Sequence, residues 1–263
     1  MRDFENSYGT MKKLHLPPCL ALLLFVQSAK AQVSVYFSPN DVESAEASGI
    51  TGVRTENFSG ATIGTLSTYR SSSLGGLYSA NYGKSYFQGN NVYGASNGGS
   101  QFAVGGGAST TLTLDEAVSY FGFYFTAGDG YNNIDLYSGN TLLLAFNTQT
   151  LIDLIPKTAG TTITAIDGNT YNTIDYYGQP VTNRNGNEPY AYIHFIATEG
   201  TKIDRIDFRQ SVNPSTAVFE NDNHSIRTEA PVVPGTFVYL IPEPSSILAS
   251  ALGLLVCLGK RRR

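Results

Sequence analysis

Apolar and polar residues alternate with a period of two through most of this chain, and that period predicts strands. Residues 33–38 (Val-Ser-Val-Tyr-Phe-Ser) open the series, and residues 52–58 predict a second strand closed by Ser59-Gly60. Between them, residues 41–47 predict at most two helical turns. Residues 62–107 are rich in Gly, Ser, Asn and Tyr. The rings at Tyr69, Tyr78, Tyr82, Tyr86, Phe87, Tyr93 and Phe102 recur regularly there and predict short packed strands joined by glycine turns. Residues 109–147 carry the clearest pattern. Thr110, Leu112 and Leu114 face one way, with Thr111 and Thr113 opposite. Residues 120–126 (Tyr-Phe-Gly-Phe-Tyr-Phe-Thr) read as a central strand covered on both faces. After a break at Asp129-Gly130, Ile134 and Leu136 alternate with Asp135 and Tyr137. A turn at residues 138–140 then returns the chain through Leu142, Leu144 and Phe146 as a hairpin.

Residues 148–189 are less regular and predict an insertion carrying Tyr171, Tyr176 and Tyr177. Strands resume at residues 190–197, with Ala191, Ile193 and Phe195 inward and Tyr192 and His194 outward. In residues 203–210, Ile206 and Phe208 point inward and Arg205, Asp207 and Arg209 outward. Residues 217–222 and 225–228 complete the series. Many short strands with Gly/Asn turns and no alternating helices predict an all-β fold. The expected architecture is an antiparallel, jelly-roll-like β-sandwich, flanked by an N-terminal signal peptide and a short C-terminal hydrophobic helix.

Both ends depart from this alternation. Lys12, Lys13 and His15 precede the apolar residues 20–26, and Ala29-Lys30-Ala31 has the small-x-small pattern of a signal-peptidase site. Residues 1–31 are therefore expected to be a signal peptide, with the mature chain starting at Gln32. Asp3 and Glu5 sit oddly ahead of a basic region, which leaves Met11 as an alternative start to Met1. At the other end, Pro242-Glu243-Pro244 precedes an uncharged apolar run at 247–258, and the chain ends in Lys260, Arg261, Arg262 and Arg263. The prolines start the apolar helix afresh. Twelve residues at about 1.5 Å each fall short of the roughly 20 that span a bilayer, so the segment reads as a brief membrane stop held by its basic end.

That order of Pro-Glu-Pro, short apolar helix and basic terminus resembles the PEP-CTERM sorting signal of Gram-negative bacteria. The resemblance covers residues 241–263 and implies recognition by an exosortase-type processing enzyme, removal of the tail near the motif, and export in a cell that makes exopolysaccharide. The aromatic strand at 121–125, the segment 134–139 and the ending Phe219-Glu-Asn-Asp-Asn are also similar to the β-sandwich bodies of such proteins. The alternative for the tail is an ordinary C-terminal anchor. Four segments follow: signal peptide 1–31, β-sandwich body 32–230, linker 231–240 and sorting signal 241–263. The protein is expected at the cell surface or outside the cell, anchored in the membrane only transiently.

Processing changes the charge. Eight of the 17 Lys and Arg and three of the 21 Asp and Glu lie outside residues 32–241, so the body carries about −9 instead of −4. An acidic surface of that size disfavours nucleic acid as a partner. Both cysteines, Cys19 and Cys257, fall in the removed segments, leaving no disulfide framework and no thiol nucleophile.

Candidate chemistry is sparse. Asp129, Asn133 and Asp135 cluster oxygen donors around a turn, as do Glu220 and Asp222 near the last strand; either set suits a structural Ca²⁺, and either also suits a polar turn. Sixteen of 17 tyrosines fall in the body, and Tyr171, Tyr176 and Tyr177, together with Tyr120, Tyr124 and Tyr137, are candidates for stacking on sugar rings. The competing reading makes them ordinary strand residues. Only His194 and His224 survive processing, and no Gly-x-Ser-x-Gly, His-Glu-x-x-His or P-loop is present. The sequence thus predicts a non-catalytic exported surface or matrix protein associated with exopolysaccharide. A carbohydrate-binding module is the alternative, and a glycan hydrolase, which needs only two carboxylates, is a third reading.

Overall fold

Two antiparallel sheets face each other across a core of phenylalanine and aliphatic side chains. The computed structural model describes residues 32–89, 99–179, 185–198, 200–212 and 217–240. The expected signal peptide and sorting signal, with Ala29, Ala31, Pro242, Glu243, Pro244, Lys260, Arg261, Arg262 and Arg263, lie outside the described residues. In chain order the strands are β1 Val33–Phe37, β2 Arg54–Glu56, β3 Gly64–Leu66, β4 Thr68–Ser71, β5 Gly76–Tyr82 and β6 Ser85–Gly89. There follow β7 Ser100–Gly105, β8 Ser109–Val118, β9 Tyr120–Phe125, β10 Asn132–Ser138 and β11 Thr141–Asn147. A short helix α1, Thr148–Leu154, precedes β12 Thr162–Thr164 and β13 Thr170–Asn172. The chain then forms β14 Ala191–Ala197, β15 Ile203–Gln210, β16 Val218–Arg227 and β17 Tyr239–Leu240. Among the described residues no helix is long and apolar enough to cross a membrane.

The larger sheet has the order β17-β1-β14-β9-β16-β7-β6-β3, with β2 also paired to β16. The smaller has the order β11-β10-β15-β8-β5-β4. Period-two alternation sends Phe121, Phe123 and Phe195 of the larger sheet and Ile134, Leu136, Ile206 and Phe208 of the smaller into one shared core. Phe208 meets Phe102 and Phe121 across the sandwich at ring-centre distances of 5.6 and 6.1 Å, both edge to face. Each such pair adds about 0.5–1.5 kcal/mol beyond area burial. Leu151 and Ile155 of the α1 region, with Ile163 and Tyr176, extend the same cluster. The expected inward positions Thr110, Leu112 and Leu114, the central strand β9 and the hairpin of β10 and β11 are all present. The less regular segment holds α1, the two-stranded β12–β13 ribbon and a 3-10 turn at Thr173–Tyr176.

The larger sheet is also covered on its outer side. Ala45, Ile50, Val53, Ile166 and Val233 pack over Tyr120, Tyr124, Tyr190, Tyr192 and Ile196. This corrects the outward assignment of Tyr192 and His194: both are fully buried beneath that second layer. Residues 231–240, expected as a linker, run along the body; Val238 N–H donates to Val35 O at 2.9 Å and β17 pairs with β1. Gly122 makes room for the rings in this layer. A Cβ there would sit 2.8 Å from Cε1 of Tyr192 and collide with the Tyr120 hydroxyl.

Both buried histidines are paired in chains of hydrogen bonds. His194 Nε2 shares a 2.7 Å hydrogen bond with Ser38 Oγ, and Nδ1 a 2.8 Å bond with Tyr120 OH. Ser38 in turn bonds Ser48 at 2.6 Å, and Tyr192 OH donates to Asn223 O at 2.9 Å. In the sandwich core, His224 lies flat on Phe208 at 4.9 Å, bonded to Tyr78 OH at 2.8 Å and to Asn221 Oδ1 at 2.6 Å. Tyr78 belongs to the smaller sheet and His224 to the larger, so this bond ties the two together. A neutral imidazole satisfies both contacts in each case, one ring nitrogen donating and the other accepting. Burial lowers both imidazoles to about 3 from their usual 6.5. Burial also raises the Glu220 carboxyl, from 4.5 to about 8, with Glu188 and Asp129 adding to the shift and a backbone hydrogen bond at Glu220 opposing it.

These groups set the pH dependence of stability. Below 6.5 the unfolded chain takes up two imidazole protons that the folded chain refuses, so stability falls as pH drops toward 3. Glu220 acts in the opposite sense. From 4.5 to about 8 the folded chain keeps a proton that the unfolded chain has lost, so its contribution falls as pH rises. The two imidazoles outweigh the one carboxyl below 6.5, and above it Glu220 acts without them. Stability is expected to peak near 6.5, with an alkaline slope of about 1.4 kcal/mol per pH unit up to about 8. Urea titrations on either side of the peak measure this; Glu220→Gln should flatten the alkaline limb and steepen the acid limb between 4.5 and 6.5, where the carboxyl opposes the imidazoles. Gly122→Ala should destabilise the fold by about 2 kcal/mol through overpacking, read from the same titrations.

Candidate functional site

The outer face of the six-stranded sheet has no covering layer among the described residues. It forms because alternation places mostly polar residues, with Leu77 the apolar exception, at every second position of β10, β15, β8 and β5, while the intervening residues largely fill the core. Register then aligns those positions into rows across the strands. One row runs Leu142, Tyr137, Arg205, Thr113, Leu77, Arg70. The next runs Ala145, Asp135, Asp207, Thr111, Ser79, Thr68. A third, shorter row holds Asn147, Asn133, Arg209, Ser109 and Tyr82.

The side chains of this face hold one another. The guanidinium of Arg205 stacks on the Tyr137 ring, 3.7 Å from its centre. Arg205 Nε lies 3.7 Å from an Asp207 carboxylate oxygen that also accepts from Thr111 Oγ1 at 2.6 Å. Asn81 Nδ2 donates to the same threonine oxygen at 2.7 Å. Arg209 Nη2 donates to Asp135 Oδ2 at 2.6 Å, and Arg70 pairs with Asp115. Burial raises the Asp135 carboxyl, against the opposing pull of Arg209. At the hairpin tip, both Asp204 oxygens accept from Gly139 N–H, at 2.8 and 2.9 Å. Three arginines and three carboxylates thus pair off within one face. In the first row Leu77 and Leu142 are 36% and 37% exposed, and in the third row Tyr82 is 74% exposed.

The expected calcium ligands are not gathered into one set. Asp129 Oδ1 accepts from Tyr131 N–H at 2.9 Å, closing a local turn. Asn133 Oδ1 accepts from Asn147 and its Nδ2 donates to Tyr131 O, while Asp135 sits on the sheet face with Arg209. Glu220 and Asp222 are buried on the covered sheet instead. Among the described residues no group of three or more His, Asp or Glu side chains is placed to hold a metal ion.

The tyrosines divide similarly. Tyr120 and Tyr124 are buried beneath the covering layer. Tyr176 is buried and donates to Ser38 O at 2.7 Å. Tyr171 donates to Asp167 at 2.7 Å, and Tyr177 carries Lys157 over its ring at 5.7 Å. Tyr176 therefore ties the insertion to the body, while the Tyr171 and Tyr177 contacts lie within the insertion. Of the six tyrosines considered, Tyr137 is the one on the open face. Ser38 and His194 have the spacing of a nucleophile and its base, but both are fully buried and the imidazole's other partner is a tyrosine hydroxyl. Arg205, Arg209, Asp207 and Leu77 were not singled out as site residues. Their outward direction is visible in the alternation of the sequence, whereas their alignment into rows depends on strand register.

No protein-family model matches the chain, and no curated protein matches it significantly. Among solved structures it is similar to the K2 cleaved adhesin domain of Lys-gingipain, at 16% identity and a TM-score of 0.36, over 68% of this chain and 99% of that one. It is also similar to the catalytic domain of a GH87 alpha-1,3-glucanase in complex with tetrasaccharides, at 11% identity and a TM-score of 0.31, over 83% of this chain and 31% of that one. At these TM-scores neither likeness defines a shared function.

Proposed function

We propose that this chain is an exported protein of the cell surface or extracellular matrix, released from its tail by an exosortase-type enzyme, and that its body works by contact and not by catalysis. The observation that carries the contact reading is the open face of six strands, polar and internally charge-paired, on a sandwich whose other sheet is closed. A rigid face of this kind presents groups to a polymer without enclosing it. Export and processing rest on the sequence: the signal at 1–31, the Pro242-Glu243-Pro244 motif, the short apolar run and the basic end. The body is read as jelly-roll-like, because the chain passes between the sheets at each step from β7 to β10 and again from β14 to β16. A discrete carbohydrate-binding module is the second reading, favoured by the Tyr137–Arg205 stack on the open face.

The test is the intact mass of the protein recovered outside the cell. A body starting near Gln32 and ending near Pro242 is expected. Replacing Pro242, Glu243 and Pro244 together by alanine should leave export intact and retain the tail in the membrane fraction. Normal trimming of that variant would remove the sorting reading.

A further inference from the structure

The geometry points to an uncharged, extended polysaccharide lying across the strands of the open face, with one sugar residue over each strand along the row from Leu142 to Arg70. This deepens the contact reading above and rests on it. Three observations lead to the proposal. The first is spacing. Neighbouring strands lie about 4.8 Å apart, close to the length of one hexopyranose unit in an extended chain, so a glycan running across the sheet stays in step with the row. Six strands provide about six such positions, and the pairing leaves no gap between Leu142 and Arg70.

The second observation is the order of chemistry along the row. Leu142, Leu77 and the half-buried Tyr137 ring, one face of which carries the Arg205 guanidinium, offer apolar surface for sugar C–H groups. Arg205 and Thr113 lie between them, and the neighbouring row supplies Asp207 and Thr111 for ring hydroxyls. Along the row an apolar pair, Leu142 and Tyr137, is followed by the hydrogen-bonding pair Arg205 and Thr113, and then by Leu77 and Arg70, so each part of the track offers both kinds of contact that a sugar chain makes. The third is charge. Each arginine of the face already has a carboxylate partner on it: Arg70 with Asp115, Arg205 with Asp207, Arg209 with Asp135. A polyuronate would have to break those pairs and would meet a body with about nine excess negative charges. A neutral glycan breaks none of them.

The experiment uses the processed body and neutral β-1,4-linked gluco- and manno-oligosaccharides of two to eight residues, with affinity measured by calorimetry. Affinity is expected to rise with length to about six residues and then level off. Tyr137→Ala should weaken the longest ligands about tenfold or more. Leu77→Asp should weaken the same ligands comparably, and its unfolding midpoint, expected to fall by no more than a few degrees, shows that the variant is folded in the binding assay. Tyr131→Ala, 53% exposed but off the row, should have no effect. Binding that both row variants leave unchanged would overturn the proposal while the surface-protein reading stood. The same holds if none of these glycans binds although the intact mass confirms processing. Preferential binding of a polyuronate overturns it on charge. Concentration-dependent dimerisation abolished by Leu77→Asp, without glycan binding, overturns it in favour of a second copy on the face.

Discussion

Strands β9 and β14 lie side by side in the larger sheet with every residue of both buried. A strand pair in that position must have apolar or fully paired groups on both faces, because an orphaned polar group there costs about 1–3 kcal/mol. The sequence meets this with phenylalanine on the inner face and with tyrosine and histidine on the outer one. Polar atoms on the outer face then draw partners from elsewhere, although the Tyr124 hydroxyl has none within hydrogen-bonding distance among the described residues. Ser38, itself bonded to Ser48, supplies one for His194, and the Asn223 carbonyl one for Tyr192. The segments that bring those partners also bring Ala45, Ile50 and Val53, and so become the cover. Closure of one sheet thus follows from the composition of two strands.

The other sheet is under no such demand. Its strands alternate apart from register shifts at Leu136/Tyr137, Ile203/Arg205 and Ala80/Tyr82, and its outer residues pair among themselves on the surface. Exposed ion pairs of this kind contribute little stability, about 0–1 kcal/mol each. Their effect is to fix side-chain positions and balance charge locally on an otherwise acidic body. The two sheets are hydrogen-bonded alike and differ in what their outer faces carry.

Much of this was legible in the sequence wherever direction along a strand was sufficient. The inward set Thr110, Leu112, Leu114, Ile134, Leu136, Ile206 and Phe208 follows from period two, as does the aromatic strand at 120–125. Period two also gave Tyr192 and His194 as outward, and so they are relative to the sandwich core. It could not reveal the layer lying on them, because that layer comes from irregular segments near residues 45, 166 and 233 with no periodicity to read. The same limit applies to Tyr176, whose burial depends on Phe37 and Ser38 more than a hundred residues earlier. Adjacent acidic residues such as Glu220 and Asp222 suggested shared ligation, but their strand instead buries them against the covered side. The rows of the open face depend on long-range register, which no local pattern encodes.

The edge formed by β17 and β1 has a mechanical consequence. Ser34 pairs with Leu240 and Val35 with Tyr239, so the chain enters and leaves this edge at the same end. Tension drawing those ends apart loads the ladder as a zipper and not in shear, and its hydrogen bonds give way one after another instead of together. Beyond them the Val238 N–H on Val35 and the Gly235 N–H on Ile166 come under load in turn. The stretch from Gly235 to Leu240 can therefore pay out several residues of slack before force reaches the five-rung pairing of β1 with β14. A body built this way yields first at its hem, and its aromatic core stays intact while it does.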